Sequence, residues 1–479
     1  MSVYRSDWKV ERLGDFALHE KGTKPKRSQK NADDVFTCPY VDIQAFEKGI
    51  VKEYTDGHKC VLCEENDFLM VWDGSRSGYV GKAIKGALGS TLMKISFPGI
   101  ETDYAYYFLQ SKYLEINTRA KGTGTPHVDP GILWNYQFAI PPLPEQRAIV
   151  AKLEQLFSEL DNGIACLKKA QEQLKVYRQA VLKQAFDGEL TKAWREQQTS
   201  LPSAQELLEN IKAEREQAAK LQGKKLKPVI PFTQSELNDL PILPKEWKWV
   251  RISDIAQKIQ IGPFGSQLHS EDYTENGIPL INPKHIKDQK LSPRVRISID
   301  KANSLPQYFL EENDIIVGRR GEMGRTAPVL KIHTGWFCGT GSLYIRLGQS
   351  FISKLYSLIL SERRIVDYLE KKSRGTTMAN LNSQIINSLP IQLISVQEQS
   401  KIVQEIETRL SVCDNIESTI RESLEKAEAL RQSILKKAFE GKLLSEEELQ
   451  ITRNAPDWEP AEKLLERIKA EKRTARNKH

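Results

Sequence analysis

The feature that most constrains this chain is that it repeats itself. EQRAIVAKLEQLFSELDN, starting at Glu145, matches EQSKIVQEIETRLSVCDN, starting at Glu398, at a shift of 253 residues, the separation of those two glutamates. The same shift runs without a gap to Leu190 and Leu443, and 17 of the 46 aligned positions are identical. Looser echoes flank it. Trp8, Lys9, Arg12 and Asp15 align with Trp247, Lys248, Arg251 and Asp254, and EENDFLMVWDG ending at Gly74 with EENDIIVGRRG ending at Gly321. Gly122-Thr123 aligns with Gly375-Thr376, and AQELLENIKAE from Ala204 with AEKLLERIKAE from Ala461. At 479 residues the chain is too long for one core to keep growing. It reads as two copies of one plan.

The repeated stretch carries a heptad stripe. Leu153, Leu160, Leu167, Leu174 and Val181 fall every seven residues, with Val150, Phe157, Ile164 and Ala185 on the companion position. In the second copy the stripe is Ile406, Cys413, Ile420, Ala427 and Ile434, with Val403, Leu410, Leu424 and Ala438 beside it. Such a stripe predicts a helix of about 40 residues, roughly 60 Å long, that cannot bury its apolar side alone. Gly188 and Gly441 stand where a C-terminal cap belongs. Pairing the two helices with each other is the simplest solution, and the repeat makes that pair antiparallel, with a globular unit at either end. Arg178 and Arg431 share one seam position, as snorkelling surface arginines or as polar contacts that set register or meet a partner.

Ahead of each helix, short apolar runs such as DFLMVW, TLMKI, DIIVG and LYIRL alternate with Gly and Pro, which predicts α/β (α+β) units of short strands and loops. Two similar units on a stiff spacer suit B-DNA, which presents the same groove again about 34 Å further on. Basic and glycine-rich loops supply the candidate contacts. The first unit offers Lys24, Lys26, Arg27 and Lys30, then Trp72, Ser75, Arg76 and Ser77, then Lys121, Thr123, Thr125 and His127. The second offers Phe264, Ser266 and Gln267, then Lys284 and His285, then Arg319, Arg320, Glu322, Met323 and Arg325, then Arg374, Thr376 and Thr377. Lysine anchors phosphate, arginine also reads guanine, and glycine lets backbone approach closely.

Composition narrows the classes. The net charge of +7 is small for this length, so a DNA footprint must come from local clustering. No apolar run approaches the eighteen or so residues that span a bilayer, and MSVYRSDWKV has no signal-peptide core, so a cytoplasmic protein without membrane contact is expected. Six scattered cysteines make no disulfide framework, and Cys60-x-x-Cys63, near His58 and Cys38, lacks the second close pair that zinc sites need. Pro141-Pro142 lacks the Asn and aromatic flanks of an adenine methyltransferase tetrapeptide, and Gly81-Lys82 fails the phosphate-loop pattern at Arg76 and Ala83. His127, His285 and His333 have no matched nucleophile. No catalytic residue or metal ligand is expected.

Paired variable units, each followed by a long helix ending in RQA-x-L-x-x-AF-x-G-x-L or close to it, resemble the specificity subunits of type I restriction-modification systems. Pro142 to Gln146 before the first helix, and GPFGSQL, GIPLIN and NDIIVGRRGEMGR in the second unit, resemble that family too. SVQEQ at Ser395 departs slightly from PLPEQ. The resemblance implies two target recognition domains, at 1–142 and 246–394, each reading one half of an asymmetric, interrupted site in double-stranded DNA. It implies spacer helices at 143–195 and 395–445, and covers the chain from about residue 7 to 445. The stretches 196–245 and 446–479, rich in Lys, Glu and Gln, read from composition as a linker with a helical segment and a helical tail, appendages that could pack the halves into a circle. Two modification subunits would carry S-adenosylmethionine and methylate adenine, and two restriction subunits would use ATP and Mg, leaving this chain no cofactor of its own. The competing classes are a self-contained DNA-modifying enzyme and a coiled-coil scaffold without sequence preference. The missing cofactor motifs count against the first, and a scaffold would not need two long, matched, loop-rich units.

Overall fold

The structure is a computed structural model that describes residues 4–122, 124–221, 223, 230–264, 267–373 and 381–476. It divides into two compact units, Met1–Lys169 with Ile420–His479, and Ala170–Thr419. The first is discontinuous, joining the two ends of the chain, and the second is one continuous stretch. The linear domain limits read from sequence therefore do not follow the compact units, because each long helix contributes to both.

In the first unit the central sheet runs Leu18–Lys21, Leu92–Ser96, Phe68–Val71, Val80–Lys82. In the second the order is Ala256–Ile261, Ser342–Leu347, Asp314–Gly318, Thr326–Pro328. These are the same four strands of the plan in the same order, although the residues differ almost everywhere. The middle strands Phe68–Val71 and Asp314–Gly318 are buried throughout, which is why they read as unbroken apolar runs rather than as alternation. Each unit also holds a parallel pair, Val41 beside Leu88 and Ile281 beside Cys338. A two-stranded ribbon closes each unit, Lys9–Arg12 with Gln137–Ile140 and Lys248–Arg251 with Pro390–Leu393.

The two long helices, Leu143–Phe186 and Val396–Phe439, hold 44 residues each. In the first unit Val150, Leu153 and Phe157 share a core with Ile434, Leu435 and Ala438. In the second, Leu182, Ala185 and Phe186 share one with Ile402, Val403, Ile406 and Leu410. The helices run antiparallel in both. All five second-copy stripe residues are buried, as are Leu153 and Val181, while Leu160, Leu167 and Leu174 are half-buried at the same period.

The seam arginines resolve as polar contacts. Arg178 reaches Asp414 at 2.7 Å and Glu417 at 2.9 Å. Arg431 pairs with Asp161 and lies 4.5 Å from the Phe157 ring centroid. Asp161 and Asp414 are themselves aligned, so one cross-helix pair occurs twice and pins one register. Both helices stop at a left-handed glycine, Gly188 at φ 76° and Gly441 at φ 73°. The first spacer helix thus ends at Phe186, short of the expected 195, and Lys192–Glu196 is a separate helix.

The Glu-Gln pair that opens each repeat locks the helix to its own unit. Trp8 donates its indole N–H to Glu145 at 3.1 Å, and Trp247 donates to Glu398 at 2.8 Å. Gln146 accepts from the Glu101 N–H at 2.9 Å and donates to the Pro141 carbonyl at 2.8 Å. Gln399 does the same with Ile352 and Ile394, at 2.8 Å each. Glu145 is buried, and desolvation pushes its carboxyl above the ordinary value.

The appendages pack on units rather than trailing. Ala204–Leu221 buries Ala204, Leu208 and Ile211 in the second unit, and Ala461–Arg476 buries Ala461, Leu464 and Ile468 in the first. The chain's last described helix thus covers its first domain.

Candidate nucleic acid interface

Loops meet at one end of each central sheet because glycine lets them cross at van der Waals limits. In the second unit Gly262 donates to the Ser342 carbonyl, Gly339 to Ile281 and Arg319 to Gly341, all at 2.9 Å, and Leu381 donates to Arg319 at 3.0 Å. A Cβ on Gly262 would stand 2.0 Å from the Gly339 carbonyl oxygen, which no side chain tolerates. The first unit repeats the frame. Gly22 donates to Leu92 at 3.0 Å, Gly89 to Val41 and Val128 to Trp72 at 2.9 Å, and a Cβ on Gly22 would lie 2.2 Å from the Gly89 oxygen. Trp72 and Arg319 therefore occupy one position of one backbone frame.

What the frame displays differs. In the first unit Lys24, Lys26, Arg27 and Lys30 project from the chain that leaves Gly22; Lys24, Arg27 and the neighbouring Lys26 and Lys30 carry the basic charge of this segment. Arg27 lies over Phe36, 5.4 Å from its centroid, with Asp56 at 3.8 Å. The loops at 72–78 and 121–127 are joined, since Gly74 donates to the Pro126 carbonyl at 2.7 Å and His127 bridges to Asp73 and Lys121. Asn117 ties down the same turn by donating to the Ser75 and Ser77 carbonyls at 3.0 Å each. Ser75 and Thr125 flank the join on its outer side. Arg76 is held by Glu47 at 2.7 Å and lies over the Tyr79 ring, while Lys121 pairs with Asp129 at 2.8 Å.

In the second unit Arg320 and Lys284 are exposed, and Phe264 presents 56% of its surface while its ring sits 5.7 Å from the Arg319 guanidinium. Arg319 is buried, and desolvation followed by the neighbouring Arg320 charge holds it below the usual arginine range. Arg325 is clamped by Glu322 at 2.6 Å and donates to the Pro283 carbonyl at 3.4 Å. Gln267 accepts from the Tyr308 hydroxyl at 2.9 Å and from the Phe264 N–H at 3.2 Å.

Five candidates prove to be interior: Trp72, Ser77, His285, Arg319 and Met323 are buried, although their residue types and loop positions suggest the contact surface. They shape the loops from within. Loop residues in a tight frame alternate between facing out and facing the strand ends, and residue type alone does not say which. Thr123, Ser266, Arg374, Thr376 and Thr377 lie outside the described residues. Asn117, Asn282 and the Gly339–Gly341 pair join the frame without having been expected from sequence, though GTGS at 339–342 shares the glycine signature of the other loops.

His285 and His333 are buried in the second unit, and burial lowers both below the ordinary histidine value. The Nδ1 of His333 accepts the Leu330 N–H at 3.2 Å, which requires the neutral ring. The folded unit then binds fewer protons than the unfolded chain. This stabilisation is complete above pH about 6.5, the unperturbed value, and is lost as pH falls from there towards the lowered folded pKa. We expect hydrogen exchange to show the second unit loosening more than the first between about pH 6.5 and 5.5. Equal loosening would contradict the assignment to these histidines.

Among the described residues no group of three or more His, Cys, Asp or Glu side chains is arranged to hold a metal ion. Cys63 is buried, its thiol donates to the Ile84 and Gly86 carbonyls, and burial pushes it up to about 11, the behaviour of a packing residue. No helix among the described residues is long and apolar enough to cross a membrane.

Residues 5–169 and 244–426 match the family described as Type I restriction modification DNA specificity domain. The chain is 26% identical over 455 residues to the type I restriction enzyme MjaVIII specificity subunit of Methanocaldococcus jannaschii, covering 91% of this chain and 93% of that protein. It is 27% identical over 378 residues to the EcoDI specificity subunit of Escherichia coli, covering 78% and 77%. In fold it is similar to a chain from a structure of a type I R-M system, with TM-score 0.64, 20% identity and coverage of 92% and 99%. The HsdS subunit from Thermoanaerobacter tengcongensis aligns at TM-score 0.52 and 20% identity, covering 92% and 98%.

Proposed function

This chain belongs to the type I restriction modification DNA specificity family, and we propose that its two recognition domains each read one half of a bipartite, asymmetric DNA site. The observation that carries this reading is the twice-built glycine frame with different side chains on it. Two identical displays would read a palindrome; two unlike displays read two unlike half-sites. The paired helices set the distance between the halves and dock two modification subunits. Those subunits hold S-adenosylmethionine and methylate adenine, restriction subunits add ATP- and Mg-dependent cleavage, and this chain contributes no catalytic group. The whole assembly works in the cytoplasm.

Within that reading, exposed Arg320 contacts a base edge or phosphate of one half-site, and Lys24 and Lys26 contact phosphate near the other. The complex reconstituted with its modification subunits tests this on substrates altered in one half at a time. We expect Arg320→Ala to lower modification by roughly 10–100-fold, equivalent to about 1–3 kcal/mol, and to relax discrimination in one half only. The double change Lys24→Ala and Lys26→Ala should weaken binding to all sequences and flatten its salt dependence by about one unit of slope for each phosphate that is no longer neutralised. Equal relaxation of both halves by Arg320→Ala would overturn the modular reading.

A further inference from the structure

The two repeats part company on the outward face of the closing ribbon. In the second unit Arg251 ends the strand Lys248–Arg251, and residues 230–241 of the linker lie across it. The Arg251 Nε donates to the Ile230 carbonyl at 2.9 Å, and Nη2 donates to the Pro231 carbonyl at 3.3 Å and to the Glu236 carboxylate at 3.0 and 3.2 Å. Nη1 donates to the Ser388 carbonyl at 2.7 Å, and the guanidinium lies 4.3 Å from the Phe232 centroid. Trp249, two residues earlier and so on the same side of the strand, donates its indole N–H to the Pro241 carbonyl at 3.0 Å. A capping box between Thr233 and Glu236 keeps the carboxylate in position. Aromatic stacking plus a carboxylate is the combination that a planar, multidentate guanidinium recognises best.

Arg12 ends the equivalent strand of the first unit, at the aligned position, with Gln137 opposite it where Arg251 has Pro390. The inward faces of the two ribbons are furnished alike. Lys9 donates to Glu462 at 3.0 Å as Lys248 donates to Gln205 at 2.6 Å. In the short helix that follows each ribbon strand, Leu13–Phe16 and Ile252–Ile255, Lys472 donates to the Gly14 carbonyl at 2.9 Å and Arg215 to that of Asp254 at 2.5 Å, one position further along. The outward faces are not alike. The Arg12 side chain is 62% exposed, with the Asp15 carboxylate 3.9 Å away, against 4% for Arg251. Val10, at the Trp249 position, is exposed too.

We propose that the outward face of Lys9–Arg12 is a docking site for a short segment of a partner protein that carries an aromatic side chain just ahead of a single helical turn and, four positions later within that turn, a carboxylate, as Phe232 and Glu236 do around the helix Gln234–Asn238. The segment lies on Arg12 as residues 230–241 lie on Arg251, aromatic ring over the guanidinium and carboxylate on its edge. The filled copy of the site defines the chemistry of the open one. This inference does not depend on which DNA bases either domain reads.

The test uses the full chain and a fluorescent peptide with the sequence of residues 230–241, followed by anisotropy up to about 1 mM, the effective concentration that a short tether imposes on the equivalent internal contact. We expect saturable one-to-one binding, at least ten-fold weaker for peptides carrying Phe232→Ala or Glu236→Ala. Arg12→Ala should lower binding at least ten-fold without moving the melting temperature, Arg12→Lys should weaken it less, and peptide should slow hydrogen exchange at residues 9–12. No saturable binding, or binding that Arg12→Ala leaves unchanged because peptide exchanges with the linker of the second unit, overturns the proposal. A concentration-dependent dimer dissolved by Arg12→Ala would assign the site to a second copy of this chain and overturn the assignment to a separate partner.

Discussion

Replacing Glu398 by alanine is expected to destabilise the second unit by about 3–5 kcal/mol, the usual effect of removing one member of a buried ionic network. Its carboxylate is fully buried and accepts from the Trp247 indole at 2.8 Å, the Arg195 Nε at 2.8 Å and the Thr191 hydroxyl at 2.7 Å. Alanine leaves a nearly buried guanidinium, an indole N–H and a hydroxyl without this acceptor at once. The aligned change Glu145→Ala has a smaller expected effect, about 1–3 kcal/mol, since the Trp8 indole is its direct hydrogen bond and Arg5 stands 3.8 Å off. Urea denaturation followed by hydrogen exchange in each unit separates the two. Equal destabilisation by the paired variants would show that the asymmetry of the networks has no energetic consequence.

Deleting residues 461–476 should destabilise the first unit by about 3–6 kcal/mol, from two fully buried aliphatic side chains, Leu464 and Ile468, at about 1.5–3 kcal/mol each. The deletion also removes the Lys469 pair with Glu11 at 2.6 Å and exposes the end of the first ribbon. Exchange should accelerate at residues 9–16 and in the helix Thr102–Thr118, while the second unit keeps its protection through its own helix Ala204–Leu221. If the truncated chain protects its first unit as the full chain does, the tail is an appendage after all.

The parts of this fold that sequence reveals are those written in long periods. A heptad needs only apolar spacing, so both helices and their seam can be read from leucines, isoleucines and the closing glycines. The Asp161 and Asp414 partners of the seam arginines are visible as identities of the repeat, yet nothing in one sequence says that an aspartate meets an arginine of the other helix. The sheets are less legible because their strands run from two to six residues, too short to show a period, and partner across long separations. The discontinuity of the first unit is hidden for a related reason: Ala461–Arg476 carries the same amphipathic pattern whether it packs on the domain before it or on the first residues of the chain. At the loops, glycine marks the frame correctly, whereas the facing of Trp72, Ser77 or His285 depends on backbone turns that residue type does not encode.

Two domains that read DNA independently are the central claim, and genome-wide mapping of modified adenines tests it most directly. Cells would carry either this chain or a version whose residues 246–394 are replaced by the matching domain of a relative, each with its modification partner. Independent reading predicts bipartite sites in both, with one half changed by the exchange and the other half and the spacer length retained. Sites in which both halves change, or a single uninterrupted site, would contradict it.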